Sequence, residues 1–328
     1  MIEKLQDKFQ REINYLRLGV TDRCNLRCTY CMPEHMSFKA QKELLSYEEI
    51  LRLVDALTPI GINKIRLTGG EPLARRNIQF LIQELGKRKA LTQKCITTNG
   101  ALLSKHINLL HQNGFDNINL SLDTLDAKKF AEITRRNQFE QVMEGLHAAL
   151  SYHIKTKINV VVMDGVNTDE LISLTKLAEE HQLGVRFIEE MPFNGMNKVP
   201  SLKWDYNKIK EHLEAHFGTL EELPSTKGKT ASEYQIKGFA GTVGIIPAFS
   251  RTFCNSCNRL RITALGNIKT CLYGTHEVGL KALIRNGAEA SEIQAFVQKA
   301  IAGKALNGFE AQNQKSLRRY ESMSEIGG

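Results

Sequence analysis

The sequence predicts an α/β fold: an incomplete (β/α)6 TIM-type barrel followed by a small, mostly antiparallel C-terminal β domain. Three observations point to it. Short β-rich runs alternate with segments of helical apolar spacing over about 200 residues. About six such units can be counted, fewer than the eight that close a barrel. After Trp204 the alternation stops, and short strand candidates with turn signals replace it.

The strand candidates of the first part span 15–20, 64–68, 94–98, 117–122, 157–163 and 185–189. Between them, apolar residues recur three and four positions apart over 47–56, 78–85, 106–112, 139–150 and 168–181, the period of one buried helix face. Strand and helix in alternation imply a parallel sheet with crossover helices. Periodicity alone fits an open doubly wound sheet as well as a barrel; with six units a barrel is left open on one side. Beyond Trp204 come a helix over 206–216 and a polar stretch over 224–232. Strands follow over 233–237, 242–247, 259–263 and 268–272, the last two joined through the turn pair Gly266-Asn267, and then helices over 278–284 and 291–301. The expected domains are 1–203 and 204–328.

Composition is that of a globular protein, with 42% hydrophobic and 24% charged residues, which disfavours disorder and collagen-like repeats. No apolar run approaches the roughly 20 residues that span a bilayer, and residues 1–15 are too polar for a secretory signal. A cytoplasmic, reducing location and no membrane partner are expected. The net charge of +8 suits an anionic partner without identifying it. Seven cysteines in a cytosolic chain favour metal or redox chemistry over disulfides. Cys95 stands alone in an apolar stretch and reads as a small buried hydrophobe.

The other six form two triplets. Cys24, Cys28 and Cys31 have the spacing C-x3-C-x2-C directly after the first strand, at the end where barrel active sites lie. Three thiolates hold three irons of a [4Fe–4S] cluster and leave the fourth open, whereas electron-transfer clusters normally have four cysteine ligands. Structural zinc, the alternative, wants four ligands, and the nearest histidine is His35 in a proline-containing segment. The run Cys24-Asn-Leu-Arg-Cys28-Thr-Tyr30-Cys31 resembles the signature of the radical S-adenosylmethionine superfamily. There the open iron chelates S-adenosylmethionine, and an electron from the cluster cleaves it to a 5′-deoxyadenosyl radical. Gly69-Gly70-Glu71-Pro72, after the second strand, resembles that superfamily's GGEP segment, and glycines there let backbone approach a ligand closely. Thr97 to Gly100 and Ser121 to Asp123 end the third and fourth strands, where they serve equally as ligand contacts or as turn and cap residues.

Cys254, Cys257 and Cys271 repeat the theme as C-x2-C-x13-C, again without a fourth cysteine. The alternative of another class is a zinc-binding nucleic-acid module; the second C-x2-C expected of a zinc ribbon is absent and the aromatics it would interleave are few. A second [4Fe–4S] cluster with an open iron is the reading. Arg259 and Arg261 alternate on a strand and so share a face, an arrangement suited to a polyphosphate. With these residues, the chain from Leu16 to the Gly327-Gly328 end resembles the molybdenum-cofactor GTP 3′,8-cyclase family.

That resemblance implies a reaction and a site. S-adenosylmethionine would contact Tyr30, Gly70, Ser121 and Met191. GTP would be held by Arg17, Arg66, Thr97, Lys157, Arg259, Leu260 and Arg261, its guanine meeting the second cluster, with Arg186, Gly327 and Gly328 as further candidates. Hydrogen would leave ribose C3′, and the carbon radical would attack guanine C8 to give 3′,8-cyclo-7,8-dihydro-GTP, the first step of molybdenum cofactor biosynthesis. The expected partners are a reductant such as flavodoxin or ferredoxin, a downstream cyclic pyranopterin monophosphate synthase and a second copy of the chain, and no nucleic acid. Asn77 and Thr270 depart from the family's usual residues but neither is an expected ligand contact. Another radical S-adenosylmethionine enzyme, acting on a peptide, remains the nearest alternative; it would leave the cationic residues and the Gly-Gly end without a purpose.

Overall fold

A computed structural model describes residues 4–191, 202–225, 228–250, 254–274, 277–313 and 322–326. The expected alternation is present: β1 (Tyr15–Gly19), α1 (Tyr47–Leu57), β2 (Lys64–Thr68), α2 (Ile78–Lys87), β3 (Gln93–Thr98), α3 (Leu103–Gln112), β4 (Phe115–Ser121), α4 (Ala127–Thr134), α5 (Phe139–Ser151), β5 (Lys155–Val162), α6 (Leu171–Glu180) and β6 (Gly184–Glu189). These six strands pair in order and in parallel. Local chemistry sets the helix starts. Ser46 and Glu49 cap α1 reciprocally, the Glu49 amide donating to Ser46 Oγ (3.1 Å) and the Ser46 amide to Glu49 Oε2 (2.7 Å). Asp126 caps α4, a short helix absent from the periodicity reading.

The C-terminal part comprises α7 (Tyr206–Phe217), β7 (Glu221–Glu222), β8 (Ser232–Gln235), β9 (Thr242–Ile246), β10 (Arg259–Ile262), β11 (Asn267–Lys269), β12 (Val278–Gly279), α8 (Lys281–Arg285), α9 (Ala290–Ala302), α10 (Gly308–Asn313) and α11 (Met323–Ile326). Its pairing is mostly antiparallel, as expected, but it divides between the two edges of the barrel sheet. β9 adds in parallel to β6 and carries β8 and β7; β10 adds in parallel to β1 and carries β11 and β12. The sheet runs β12-β11-β10-β1-β2-β3-β4-β5-β6-β9-β8-β7, and among the described residues its two ends do not pair, so the barrel is open. Residues 278–279, expected to begin a helix, pair with β11 instead, and the helix starts at Lys281.

Alternation along the strands sorts the sheet into two faces. Leu16, Leu18, Ile65, Leu67, Ile96, Ile118, Leu120, Ile158, Val160, Val185 and Phe187 join the helices in the apolar core. The residues between them, Arg17, Arg66, Thr97, Lys157 and Arg186, turn to the opposite, polar face.

Candidate functional site

Register assembles the polar face. β10, β1 and β2 lie side by side, so that Arg259, Tyr15 and Lys64 form one row and Arg261, Arg17 and Arg66 the next. Cys95, fully buried as expected, continues that second row beside Arg66. Arg66 Nε donates to the Tyr15 hydroxyl at 2.7 Å, and its Nη1 to the Ile96 carbonyl at 2.7 Å. Burial alone would raise the Tyr15 phenol, but Arg66 and Arg17 bring it down to about 8. Burial, then the Arg261 guanidinium, holds Arg17 down at about 9, and burial with Arg259 lowers Arg261. On the far side of the face, burial and Arg186 bring Lys157 down to about 8. Crowded, desolvated cations of this kind favour a multiply charged anion.

A carboxylate meets this group at Glu233 on β8. It accepts from Arg186 Nη2 at 2.5 Å and Lys229 Nζ at 2.7 Å, with Lys157 Nζ at 3.7 Å. Against the burial that would raise it, Lys229 and Arg186 hold Glu233 down at about 2. Thr97 Oγ1 and Asn159 Oδ1, buried on the polar face, have no hydrogen-bond partner among the described residues. Orphaned polar atoms here are what a ligand would satisfy.

The first triplet sits on the loop after β1 and is shaped by the Gly69-Gly70 turn. Gly70 donates its amide to Thr21 O and Glu71 its amide to Arg23 O, both at 2.8 Å. A Cβ on Gly70 would lie 2.3 Å from Arg23 O, and one on Gly69 2.2 Å from Thr21 O, so glycine is required for contact with the cysteine loop. Glu71 is fully buried and binds its own surroundings: it accepts from the Leu73 amide (3.0 Å), Thr98 Oγ1 (2.9 Å) and the Asn99 amide (2.7 Å), while burial pushes it up to about 7. Asn99 Nδ2, thus positioned, lies 3.5 Å from Cys24 Sγ. The Tyr30 hydroxyl donates to Asp123 Oδ2 at 2.8 Å, and burial raises Asp123 to about 6. A small enclosed cavity beside the triplet is lined by Cys28, Tyr30, Asn99, Ser121, Asp123 and Phe130, which brings Tyr30 and Ser121 together.

Burial pushes Cys24 up to about 11, Cys31 to about 12 and Cys28 well above the usual thiol range, with Glu71 adding to the rise at Cys24, Cys31 to that at Cys28 and Cys24 to that at Cys31. The segment 322–326 packs here: the Ser322 hydroxyl and Met323 amide donate to Cys31 O at 2.9 and 3.3 Å. Gly327 and Gly328, which follow directly, lie outside the described residues.

The second triplet leaves the sheet at the other end of these strands. Cys254 and Cys257 precede β10, and the antiparallel β10–β11 pairing, Arg261 opposite Lys269, returns the chain so that Cys271 follows β11 beside them. Burial raises Cys254, which also feels Cys271 and Cys257. Cys257 goes the other way: burial would raise it, but Lys304 and then Arg259 bring it down to about 7. From the row at Tyr15 to the row at Gly19 is four residue steps, about 13 Å of strand. The arginines occupy that interval. Beyond Cys271, Tyr273 donates to Ala248 O and lies 3.8 Å from Met191 Sδ, linking segments attached to opposite edges of the sheet.

Both triplets thus bring together three soft thiol donors with no fourth cysteine, a set that fits iron–sulfur ligation. Among the described residues no three such groups close tightly enough to hold one metal ion; the fit therefore rests on donor chemistry and on the convergence of each triplet. Arg17, Arg66, Thr97, Lys157, Arg186, Arg259 and Arg261 share the face between the triplets. Leu260 does not: its side chain pairs in register with Leu16 in the core, leaving its main chain as the part near a ligand. Asn159, Glu233, Lys229 and Lys304 escaped the sequence reading. Asn159 was legible as the next polar-face residue after Lys157, whereas nothing local marked the others.

The radical SAM superfamily model matches residues 18–178, and the molybdenum cofactor synthesis C model matches 183–309. A GTP 3′,8-cyclase of Pelotomaculum thermopropionicum is 40% identical over 330 residues, covering 99% of this chain and 100% of that protein. Molybdenum cofactor biosynthesis protein 1 of Dictyostelium discoideum is 42% identical over 308 residues, covering 92% of this chain and 48% of that one; the chain spans about half the length of such relatives. Among solved structures, Streptococcus suis SuiB with its precursor peptide SuiA has a TM-score of 0.64 at 14% identity, covering 94% of this chain and 69% of that one, a likeness of fold. No described helix is long and apolar enough to cross a membrane.

Proposed function

The chain belongs to the GTP 3′,8-cyclase family, and on that premise we propose that it cyclises GTP to 3′,8-cyclo-7,8-dihydro-GTP, the first step of molybdenum cofactor biosynthesis. The observation that carries the substrate is the pair of cationic rows, Arg259 and then Arg261, Arg17 and Arg66, lying between two cysteine triplets.

In this reading Cys24, Cys28 and Cys31 hold one [4Fe–4S] cluster, and Cys254, Cys257 and Cys271 hold the other. When bound, the first cluster would supply the electron that splits S-adenosylmethionine, and the 5′-deoxyadenosyl radical so released would take hydrogen from ribose C3′. The protein's part is placement. Tyr30, Gly70, Ser121 and Met191 hold S-adenosylmethionine, Tyr30 being oriented by its bond to Asp123. Arg17, Arg66, Lys157, Arg186, Arg259 and Arg261 hold the triphosphate, and Thr97 with its unsatisfied hydroxyl binds a polar atom of the nucleoside. The C3′ radical, fixed beside guanine, would then bond to C8 and leave the unpaired electron on the purine, where one further electron from the reductant and one proton at N7 would give the 7,8-dihydro product. Residues 1–203 form the radical-generating part and 204–328 the part that anchors GTP, with Gly327 and Gly328 as further candidate contacts on family resemblance. The protein works in the cytoplasm as a homodimer, takes electrons from a flavodoxin- or ferredoxin-like donor and passes its product to a cyclic pyranopterin monophosphate synthase.

Protein reconstituted with iron and sulfide, reduced anaerobically and supplied with S-adenosylmethionine and GTP, should yield 5′-deoxyadenosine and the cyclised nucleotide. Deoxyadenosine formed at the same rate with and without GTP, and no cyclised product, would defeat the assignment.

A further inference from the structure

The strands that carry the second triplet part company where the cysteines begin. The β10–β11 ladder pairs Arg261 with Lys269 and Ile262 with Ile268, and ends there. Arg259 and Thr270, on the two strands beyond the last pair, direct carbonyls to one ammonium: Lys304 Nζ donates to Arg259 O at 3.2 Å and to Thr270 O. Lys304 is 3% exposed and stands just after α9, far from the triplet in sequence. Its ammonium takes the place of the missing rung, between the residue two positions after Cys257 and the residue immediately before Cys271.

The same segment is fastened a second time. Arg11, from the N-terminal arm, donates through Nη1 to Leu306 O (2.7 Å) and Cys254 O (3.0 Å), and through Nη2 to Ala305 O (2.7 Å). Its charge is matched by Asp7, 2.5 Å from Nε and fully buried. Lys304 differs: both of its hydrogen bonds go to carbonyls, which offset only part of a buried ammonium's charge. Groups from outside the hairpin therefore hold Cys254 directly, through Arg11, and the strand ends that carry Cys257 and Cys271, through Lys304.

We propose that Lys304 is the positioning residue of the second iron–sulfur cluster: its ammonium locks the mouth of the β10–β11 hairpin and sets a buried positive charge beside the cluster. Arg11, neutralised by Asp7, is a latch that keeps residues 304–306 in place. A cation near a cluster stabilises the reduced, more negative form, so Lys304 raises the second cluster's reduction potential. The role rests on the reading of Cys254, Cys257 and Cys271 as cluster ligands.

Full-length protein purified and reconstituted without oxygen tests both parts. Wild type is first assayed for iron and sulfide; about four irons per chain rather than about eight would show that the second cluster itself is absent, which counts against the underlying reading and is told apart from a failure of Lys304. Lys304→Gln keeps a hydrogen-bond donor without the charge, and Lys304→Met removes both. In a potentiometric titration followed by electron paramagnetic resonance, without S-adenosylmethionine or GTP, Lys304→Gln should move the second cluster's midpoint to lower potential and leave the first unchanged. Lys304→Met should lose iron toward about four per chain, and Lys304→Arg should restore both iron and potential. If Met and Gln variants both kept wild-type iron content and wild-type midpoint, Lys304 would have no such role. If Lys304→Met were insoluble, the soluble Gln and Arg variants would still decide the potential, since a structural defect alone would not move one cluster's midpoint and spare the other's.

Discussion

The two cysteine triplets share a donor set and differ in almost everything around it. Near the first stand buried carboxyl groups, Glu71 and Asp123, and its three thiols are all pushed up, chiefly by burial. Near the second stand Lys304, Arg259 and Arg11, and Cys257 comes down to about 7. Thiolates are the metal ligands, so the first site depends on iron itself to drive off protons, while the second is partly prepared by its cations. The contrast matches the proposed ligands. S-adenosylmethionine brings an ammonium and a sulfonium toward the first, and GTP brings a polyanion toward the second. The arginines proposed for GTP lie on the strands between the two sites, while at the first triplet Arg27 Nη1 donates to Cys24 O at 2.6 Å.

The largest effect that would break or sharpen this contrast is removal of a first-triplet ligand. Cys24→Ala should abolish 5′-deoxyadenosine formation while GTP still binds at the second triplet, measured by chromatography and by calorimetry. A substantial loss should also come from Gly70→Ala, although it touches no cysteine. The added methyl would press on Arg23 O and displace the cysteine loop, and crowding of this kind typically costs about 1 to 3 kcal/mol. Iron content should fall toward one cluster, with the second cluster's spectrum intact.

Arg259→Ala belongs to the other region and should reverse the pattern. Charge-assisted contacts contribute about 1.5 to 3 kcal/mol, so GTP affinity should weaken roughly ten- to a hundredfold, with the first cluster and basal cleavage of S-adenosylmethionine unchanged. Normal GTP use by this variant would undo the substrate assignment. The smallest effect concerns pH. Lys157 loses its proton as pH rises through about 8, and a bound triphosphate favours the charged form, so GTP binding takes up a proton and weakens from pH 7.5 to 9. Lys157→Met should bind less tightly at pH 7 and show a flatter profile in titration calorimetry.

The features legible in the sequence are those written in short, local spacing. Both triplets, the Gly69-Gly70 turn and the shared face of Arg259 and Arg261 need a few residues each, whereas Arg17, Arg66 and Lys157 came from family resemblance, and the strands of the structure then set them on one face. Features set by pairing at a distance were not legible. Nothing in residues 242–246 or 259–262 states that they extend opposite edges of the sheet. Glu233 reaches Arg186 and Lys157 only because β8 follows β9 onto that edge. Lys304 reads as one more surface lysine until the C-terminal helix α9 brings it 3.2 Å from Arg259 O. Leu260 shows the reverse limit: a run named as a whole by resemblance contains a residue whose side chain belongs to the core.

The division of labour between the triplets is tested most directly by following one hydrogen atom. With GTP deuterated at C3′, S-adenosylmethionine and reductant, the account predicts 5′-deoxyadenosine carrying deuterium, formed together with the cyclised nucleotide, by mass spectrometry of a single turnover. Deoxyadenosine without deuterium, and GTP recovered unchanged, would contradict it.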